Sequence, residues 1–376
     1  MSAIRNALVV GGGFSGMAAA IQLRKADIAV DLIEIDPDWC HLGAGITLNG
    51  STLRALDTLG VYDEFLKYGK ASDGLDICIP PGQVVAQIPH LNPPGSRVAG
   101  TGGIMRPTLA LILANATRQA GVQVHLGCTF SKIEQTDDSV TVDFSDGRVG
   151  TYDLVVGADG VHSKLRSMLF PEIGPLQYIG QGVWRAVLPR PQEIERPRMW
   201  MGPHIKIGVN PVSKDQMYMF ITEDRPTKEH IDQATWPEVV AGLMRPFTDP
   251  IIQSLIPEIS KPEAAIDYRP LANLLVPTPW NRGRVVMIGD TVAATTPHLA
   301  AGAGIGIESG IVLAEELARN DDLQTALDAF HARRWPRCEL VVRNSERLCH
   351  IEIEGGDKAE HAQIMRDSAI ALAQPI

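Results

Sequence analysis

The 376-residue sequence predicts an α/β fold: a parallel, βαβ-built domain interrupted by a mostly antiparallel β-sheet insert and closed by C-terminal helices. Three observations predict it. An apolar strand, a glycine turn, a helix and a second apolar strand follow one another within residues 7–35. Strands that deliver glycine-containing turns recur in mid-chain, at 154–160, and late, at 284–290. Between these two, the pattern changes to strand-like segments separated by prolines. A strand–helix–strand succession this short makes a crossover and therefore a parallel sheet.

The elements follow in order. Residues 7–10 form a short apolar run of buried-strand type, 15–25 an alanine-rich helix with Ile21 and Leu23 among its apolar positions, and 30–35 a second buried strand. A helix is predicted over 51–59. The stretch 73–99, with Pro80-Pro81-Gly82 and Asn92-Pro93-Pro94-Gly95, reads as an irregular excursion. Helix returns at 108–120, a hairpin is predicted from 140–144 and 147–152 around Ser145-Asp146-Gly147, and 154–156 runs into the second glycine turn. From 177 to about 268 the segments 182–188, 205–209 and 216–222 read as antiparallel strands. The strand 284–288, a glycine-rich helix to about 319 and a helix over 326–353 complete the chain. The expected organisation is a discontinuous dinucleotide-binding domain (1–72, 100–176 and 269–376) around a substrate-binding sheet domain (73–99 and 177–268).

Bulk properties narrow the function. Hydrophobic residues make up 45% and charged residues 21%, an ordinary globular composition, whereas aromatics at 5% leave any aromatic pocket lining sparse. A net charge of −10 argues against a nucleic-acid or anionic-membrane surface. Cys40, Cys78, Cys128, Cys338 and Cys349 show no CxxC spacing, which suits a reducing cytoplasm better than a disulfide framework or a metal site. No secretory leader and no bilayer-length apolar run is legible.

Gly11-Gly12-Gly13-Phe14-Ser15-Gly16 fits GxGxxG between a strand and a helix. There the glycines permit a tight turn and close approach to a pyrophosphate, and the helix N-terminus offers amides to it. Glu34, 18 residues beyond Gly16, closes the next strand and can accept hydrogen bonds from an adenosine ribose. These features leave NAD and FAD open.

The run Asp153-Leu154-Val155-Val156-Gly157-Ala158-Asp159-Gly160 and the run Arg284-Val285-Val286-Met287-Ile288-Gly289-Asp290 add an Asp-Gly and a Gly-Asp turn, each after a strand. GxGxxG, DG and GD in this order resemble the p-hydroxybenzoate hydroxylase-like (class A) FAD-dependent aromatic monooxygenases over nearly the whole chain. The resemblance implies a Rossmann-like FAD-binding domain. In it Gly11, Gly13 and Gly16, with Phe14 and Ser15 beside them, would lie against the pyrophosphate, and Glu34 would hold the ribose. Arg106, opening a helix, would sit beside the ribityl-phosphate portion, Asp159 would organise the pyrophosphate side, and Gly289-Asp290 would meet the ribityl chain. Pro297 would lie against the flavin, followed by a helix opened by Gly302, Ala303 and Gly304 whose amides face the ring carbonyl and stabilise negative charge there. Two departures stand out: Thr291-Val292-Ala293 replaces the usual histidine after the GD pair, and Glu308-Ser309 the usual Glu-Asp.

The resemblance further implies an NADH- or NADPH-consuming hydroxylation of a small aromatic or heteroaromatic compound, phenolic or acidic, with O2 as co-substrate and a flavin C4a-hydroperoxide transferring the oxygen. His204 is the first candidate base. It is expected to begin a strand in which His204, Lys206 and Gly208 share a face; the tyrosine that related sequences carry four residues on is Gly208 here. Arg185 is a candidate for a substrate carboxylate or for gating flavin movement, with neighbouring Trp184 on the opposite face. His298 is expected near the flavin because of Pro297, and Tyr178 and Tyr218 are further candidates. The related alternatives are a flavin oxidase or dehydrogenase, a halogenase and a non-catalytic dinucleotide sensor. The run Trp184-Arg185-Ala186-Val187-Leu188-Pro189 lacks the second tryptophan of a halogenase signature. A monomer or homodimer is expected.

Overall fold

The computed structural model describes residues 3–39, 43–90, 92 and 94–376; Cys40 and Pro93 lie outside the described residues. Its central sheet has six strands, in the order Asn281–Arg282, Val285–Met287, Leu154–Gly157, Asn6–Val10, Ala29–Glu34 and Gln123–Leu126. All pairs are parallel except the first. All three motif-bearing strands are thus neighbours, with Asn6–Val10 between Leu154–Gly157 and Ala29–Glu34, and their C-terminal ends open on one edge. In an open parallel sheet that edge is where ligands bind.

Helices cover this sheet. Phe14–Lys25 lies against the helix Gly302–Arg319, and the contact is close because glycines remove side chains from it. A Cβ on Gly310 would stand 2.5 Å from the backbone nitrogen of Ala19. The helix Leu323–Glu354, 32 residues long, packs behind Gly302–Arg319. A smaller antiparallel sheet of Phe130–Gln135, Val140–Phe144 and Val149–Tyr152 includes the predicted hairpin.

A second large sheet has eight strands, in the order Ala293–Ala294, Asp267–Leu275, Gln177–Pro189, Gln216–Asp224, Ile205–Pro211, Arg198–Gly202, Gly74–Ile79 and Gln83–Pro89. It is antiparallel apart from the pairing of Arg198–Gly202 with Gly74–Ile79. The stretch expected to be irregular therefore carries two strands, and Pro80-Pro81-Gly82 is the turn of their hairpin.

The two faces of this sheet differ, as the period of two requires. On one, Trp184, Ala186, Leu188, Ile207, Val209, Met217, Met219 and Ile221 form a separate core. It is covered by the helices Trp236–Met244 and Pro250–Ile259, neither of which was expected from the sequence. The other face turns toward the parallel-sheet domain: Asn210 donates to Thr47 Oγ1 at 2.9 Å, and Gly45 lies so close to Tyr218 that a Cβ would approach its side chain to 2.4 Å. No helix among the described residues is long and apolar enough to cross a membrane.

Candidate functional site

The first glycine turn is built by exclusion of side chains. Gly11 has φ +104°, and a Cβ there would meet the carbonyl oxygen of Ala158 at 2.4 Å; on Gly16 it would meet that of Gly11 at 2.0 Å. These two glycines are demanded by the protein's own backbone. Gly13 differs, because a Cβ there would meet nothing within 4 Å. It is the N-cap of the helix Phe14–Lys25, with no side-chain hydrogen bond at the cap, so the positive end of the helix lies beside that open space. An anion fits that place.

Glu34 stands at the end of its strand as expected and also shapes the turn. Its carboxylate accepts from Gly12 N at 2.6 Å and from Asp36 N at 2.9 Å, leaving further lone pairs for a diol. Sequence reasoning missed Trp39. Its indole donates to Gly12 O at 2.8 Å and lies under the Arg118 guanidinium, 4.6 Å from the ring centroid, walling this end of the groove.

Ser15 and Asp159 hold motifs together. Ser15 Oγ lies between Gly289 and Gly306, where a Cβ on either would approach it to 2.2 or 2.3 Å. Asp159 accepts from Ser163 Oγ at 2.5 Å and from Leu165 N at 3.0 Å, which fixes the turn after its strand. Thr291, standing where related sequences carry a histidine, is fully buried and accepts from Gly160 N at 3.2 Å. The replacement thus ties the DG turn to the GD turn.

Arg106 opens the helix Arg106–Gln119, and its guanidinium stands 5.1 Å from the centroid of the Phe14 ring. Arg106 and Asp290 are both solvent-accessible although protein surrounds each on nearly every side. That is the situation of groups on the floor of a deep cleft. Burial pushes the Asp290 carboxyl up, opposed by the charge of Arg106; burial lowers Arg106, opposed by Asp290. Both would regain solvation from a polar ligand.

Beyond Asp290, Pro297 is exposed at the start of a short turn, Pro297–Leu299, and Ala300 (φ +49°) reverses the chain into the helix Gly302–Arg319. That helix has no side-chain cap, and Gly302 and Ala303 are half-buried. Gly304 is required by packing, since a Cβ would meet Thr52 Oγ1 at 2.2 Å. The Glu308-Ser309 departure also has its compensation. Glu308, 1% exposed, pairs with Arg334 at 3.1 Å and Arg337 at 2.7 Å, and Ser309 Oγ accepts from Arg334 at 3.2 Å. A buried carboxylate with two guanidiniums thus clamps this helix to the long one behind it.

The sheet face opposite carries Arg185, Val187, Tyr218, Phe220, Lys206, Gly208 and Asn210, as the register pairs Arg185 with Phe220 and Val187 with Tyr218. Arg185 pairs with Asp267 at 3.5 Å and stands close enough to Arg106 to act on its charge. Trp184 points the other way into the core, its indole donating to Glu223 at 2.6 Å. Phe220 was missed. Its ring stands over Gly208, whose Cβ would approach it to 2.1 Å, so it fills the space opened by the glycine where related sequences carry a tyrosine. Tyr178 hydrogen-bonds the Arg225 carbonyl.

His204 departs from expectation. It lies in the turn before the strand Ile205–Pro211 with φ +56°, its side chain is 59% exposed, and Nδ1 lies 2.9 Å from Asp224 Oδ2. The reading of His204 as a strand residue sharing a face with Lys206 is corrected: the hairpin turn lifts it to the surface. His298 is the reverse case, with a side chain 1% exposed. Its Nδ1 lies 2.9 Å from Thr296 Oγ1, and its Nε2 is 3.4 Å from Glu352 Oε2 without an aligned hydrogen bond. Among the described residues no cluster of His, Cys, Asp and Glu could hold a metal ion.

The family model described as FAD binding domain matches residues 5–345. YetM of Bacillus subtilis strain 168, provisionally named an FAD-dependent monooxygenase, is 30% identical, covering 95% of this chain and 96% of its own. The 6-hydroxynicotinate 3-monooxygenase of Bordetella bronchiseptica is 28% identical over 91% of this chain and 90% of its own. The structure of Klebsiella pneumoniae HpxO complexed with FAD and uric acid superposes with a TM-score of 0.82 at 23% identity, covering 98% of this chain and 92% of that one, which is a likeness of fold.

Proposed function

The chain belongs to the FAD-binding-domain family of flavin-dependent monooxygenases, and on that premise we propose that it hydroxylates a small aromatic or heteroaromatic compound, phenolic or acidic, consuming NADH or NADPH and O2. The observation that carries this reading is the pairing of two surfaces. A glycine-walled groove ends at accessible Arg106 and Asp290, and a sheet face bearing Arg185, Tyr218 and Phe220 turns toward it. The urate hydroxylase of Klebsiella oxytoca and the 3-hydroxybenzoate 6-hydroxylase of Polaromonas naphthalenivorans, each 27% identical, are named for substrates of that size.

The residues fit FAD. Open space at Gly13 suits the pyrophosphate, Glu34 and Asp290 are carboxylates for diols, and Arg106 is a guanidinium for phosphate or ribityl oxygens. The uncapped helix opened by Gly302, Ala303 and Gly304 offers amides to a developing anion, with Pro297 beside it. When bound, FAD supplies the redox chemistry, accepting a hydride from the nicotinamide and activating O2. This chain's own part is to bind, orient and exclude water. Arg185 holds an anionic substituent of the substrate, while Tyr218 and Phe220 give the ring an apolar wall. The exposed contact of His204 with Asp224 does not support a base role, and His298 acts from beneath the Pro297 turn. The four described cysteines are all buried and unpaired, which supports a reducing compartment such as the cytoplasm.

The test is a flavin absorption spectrum followed by NADH and NADPH oxidation with a panel of hydroxylated benzoates, hydroxypyridine carboxylates and purines. Oxidation stimulated by one panel member supports the reading. Oxidation that yields hydrogen peroxide with every panel member intact replaces it with an oxidase.

A further inference from the structure

Beneath the turn Pro297–Leu299 lies a buried charged cluster built around a residue that none of the sequence motifs contains. Glu352, from the last turn of the helix Leu323–Glu354, is its centre. One carboxylate oxygen receives Lys206 Nζ, from the strand Ile205–Pro211, and His361 Nε2 at 3.2 Å, from the helix Lys358–Ala373. The other faces His298 Nε2 at 3.4 Å and Gln181 Nε2 at 3.5 Å, from the strand Gln177–Pro189. Side-chain exposures of 10% for Lys206, 14% for Glu352 and 1% for His298 remove the cluster from bulk water.

We propose that the Lys206–Glu352 pair is a positioning device that keeps the His298 imidazole neutral, in its Nε2–H form, beneath the turn leading into the helix Gly302–Arg319. The proposal rests on the assignment of that turn to the flavin side of the cleft. The geometry carries it. An Nε2 lone pair 3.4 Å from a carboxylate oxygen would be repelled, so the proton belongs on Nε2, and Nδ1 accepts from the Thr296 hydroxyl. Glu352 alone would draw a second proton onto the ring. Lys206, bonded to the same carboxylate, cancels that pull. His361 Nε2 is a further partner of the carboxylate, and Asp224 reaches the group through Gln181 at 3.4 Å. Burial lowers the His298 imidazole's affinity for a proton, and the Lys206 charge acts in the same direction. Lys206 above all, with His298 and His361, holds Glu352 well below the ordinary carboxylate range despite its burial.

A neutral His298 leaves the amides of the helix N-terminus as the principal positive feature at that place. An imidazolium would add a full charge where the dipole contributes about half of one. The pair therefore sets the field under the cofactor ring without touching it.

The test uses the apoprotein first, so that its outcome does not depend on the chemistry proposed above. Selective labelling of histidine and NMR titration of His298 should show a neutral Nε2–H ring through pH 6. Lys206→Met should raise its titration midpoint by at least about one pH unit, a tenfold change in acidity. The double variant Lys206→Met/Glu352→Gln should return it to the wild-type position. In the FAD-loaded protein, Lys206→Met should shift the flavin midpoint potential upward and the double variant should not. An Nδ1–H or charged ring in the wild type overturns the proposal. So does a Lys206→Met midpoint equal to that of wild type. If Lys206→Met does not fold, the tautomer of the wild-type ring and the near-wild-type titration of the double variant decide the matter alone. Failure to bind FAD would refute the cofactor reading while leaving the apoprotein result standing.

Discussion

Alanine at Gly13 and alanine at Gly16 should damage the protein in different ways. At Gly16 the new methyl would stand 2.0 Å from the carbonyl oxygen of Gly11 and 3.3 Å from Ala158 Cβ, so backbone must move by more than an ångström. Overpacking of this kind costs roughly 1–3 kcal/mol, and contact of backbone on backbone puts it at the upper end. At about 2–4 °C per kcal/mol for domains of a few hundred residues, the melting temperature of the apoprotein should fall by roughly 5–10 °C. At Gly13 the methyl meets nothing within 4 Å, and φ −72°, ψ 178° is extended backbone that alanine adopts freely. Gly13→Ala should therefore change apoprotein stability by less than about 0.5 kcal/mol. If the open space belongs to a pyrophosphate, the same methyl keeps the phosphate from the helix amides and weakens FAD binding at least about tenfold, or 1.4 kcal/mol. Thermal denaturation of both apoproteins and FAD titration by quenching of flavin fluorescence read the two effects separately. Wild-type FAD affinity in Gly13→Ala, or equal destabilisation by both variants, would refute the reasoning.

Glu308→Gln leaves Arg334 and Arg337 without their shared buried carboxylate; urea denaturation should show a loss of about 3 kcal/mol or more, the cost of an unpaired buried charge. His204→Ala should retain wild-type kcat/KM, because its side chain makes an exposed pair with Asp224, whereas Arg185→Ala should lower kcat/KM at least about tenfold for a carboxylate-bearing substrate and little for a neutral one. His331, pushed down to about 4 by burial, accepts from Trp280 N at 3.2 Å and must be neutral to do so. The unfolded chain takes up a proton below about pH 6.5 and the folded one resists until about pH 4, so stability should fall as pH is lowered through that window. Denaturation midpoints of wild type and His331→Asn across pH 7 to 4 should diverge from about pH 6.5 downward; parallel curves would exclude the histidine as the cause.

The parallel-sheet domain was legible because each motif is a local event. A short apolar strand, a turn with glycines and a helix occupy consecutive residues, and the tight contacts at Gly11 and Gly16 are what those glycines signalled. The helices over the second sheet were hidden by their prolines. Pro237 and Pro250 fall in the region expected to hold strand-like segments separated by prolines, yet both sit in the first turn of a helix, where a missing N–H costs nothing. Pro80-Pro81-Gly82 likewise concealed a hairpin by resembling an excursion. At the site, Glu34, Arg106 and Asp290 were found through position in a motif. Glu352 could not be, because Lys206 lies 146 residues away and nothing within its own helix marks it. His204 was misplaced for a related reason: alternation predicts a strand's faces but not where the hairpin turn ends. Phe220 filling the space over Gly208 is a compensation between strands, visible only once the register is known.

The most direct test of the central claim is the fate of isotopic oxygen. The purified, FAD-loaded protein is given NADH or NADPH, 18O2 and the panel compound that most stimulates nicotinamide oxidation, and the products are weighed by mass spectrometry. The expected product is an oxygenated aromatic compound carrying one 18O atom, formed in step with nicotinamide consumed. Labelled hydrogen peroxide as the sole product, with the aromatic compound recovered unchanged, would contradict the claim.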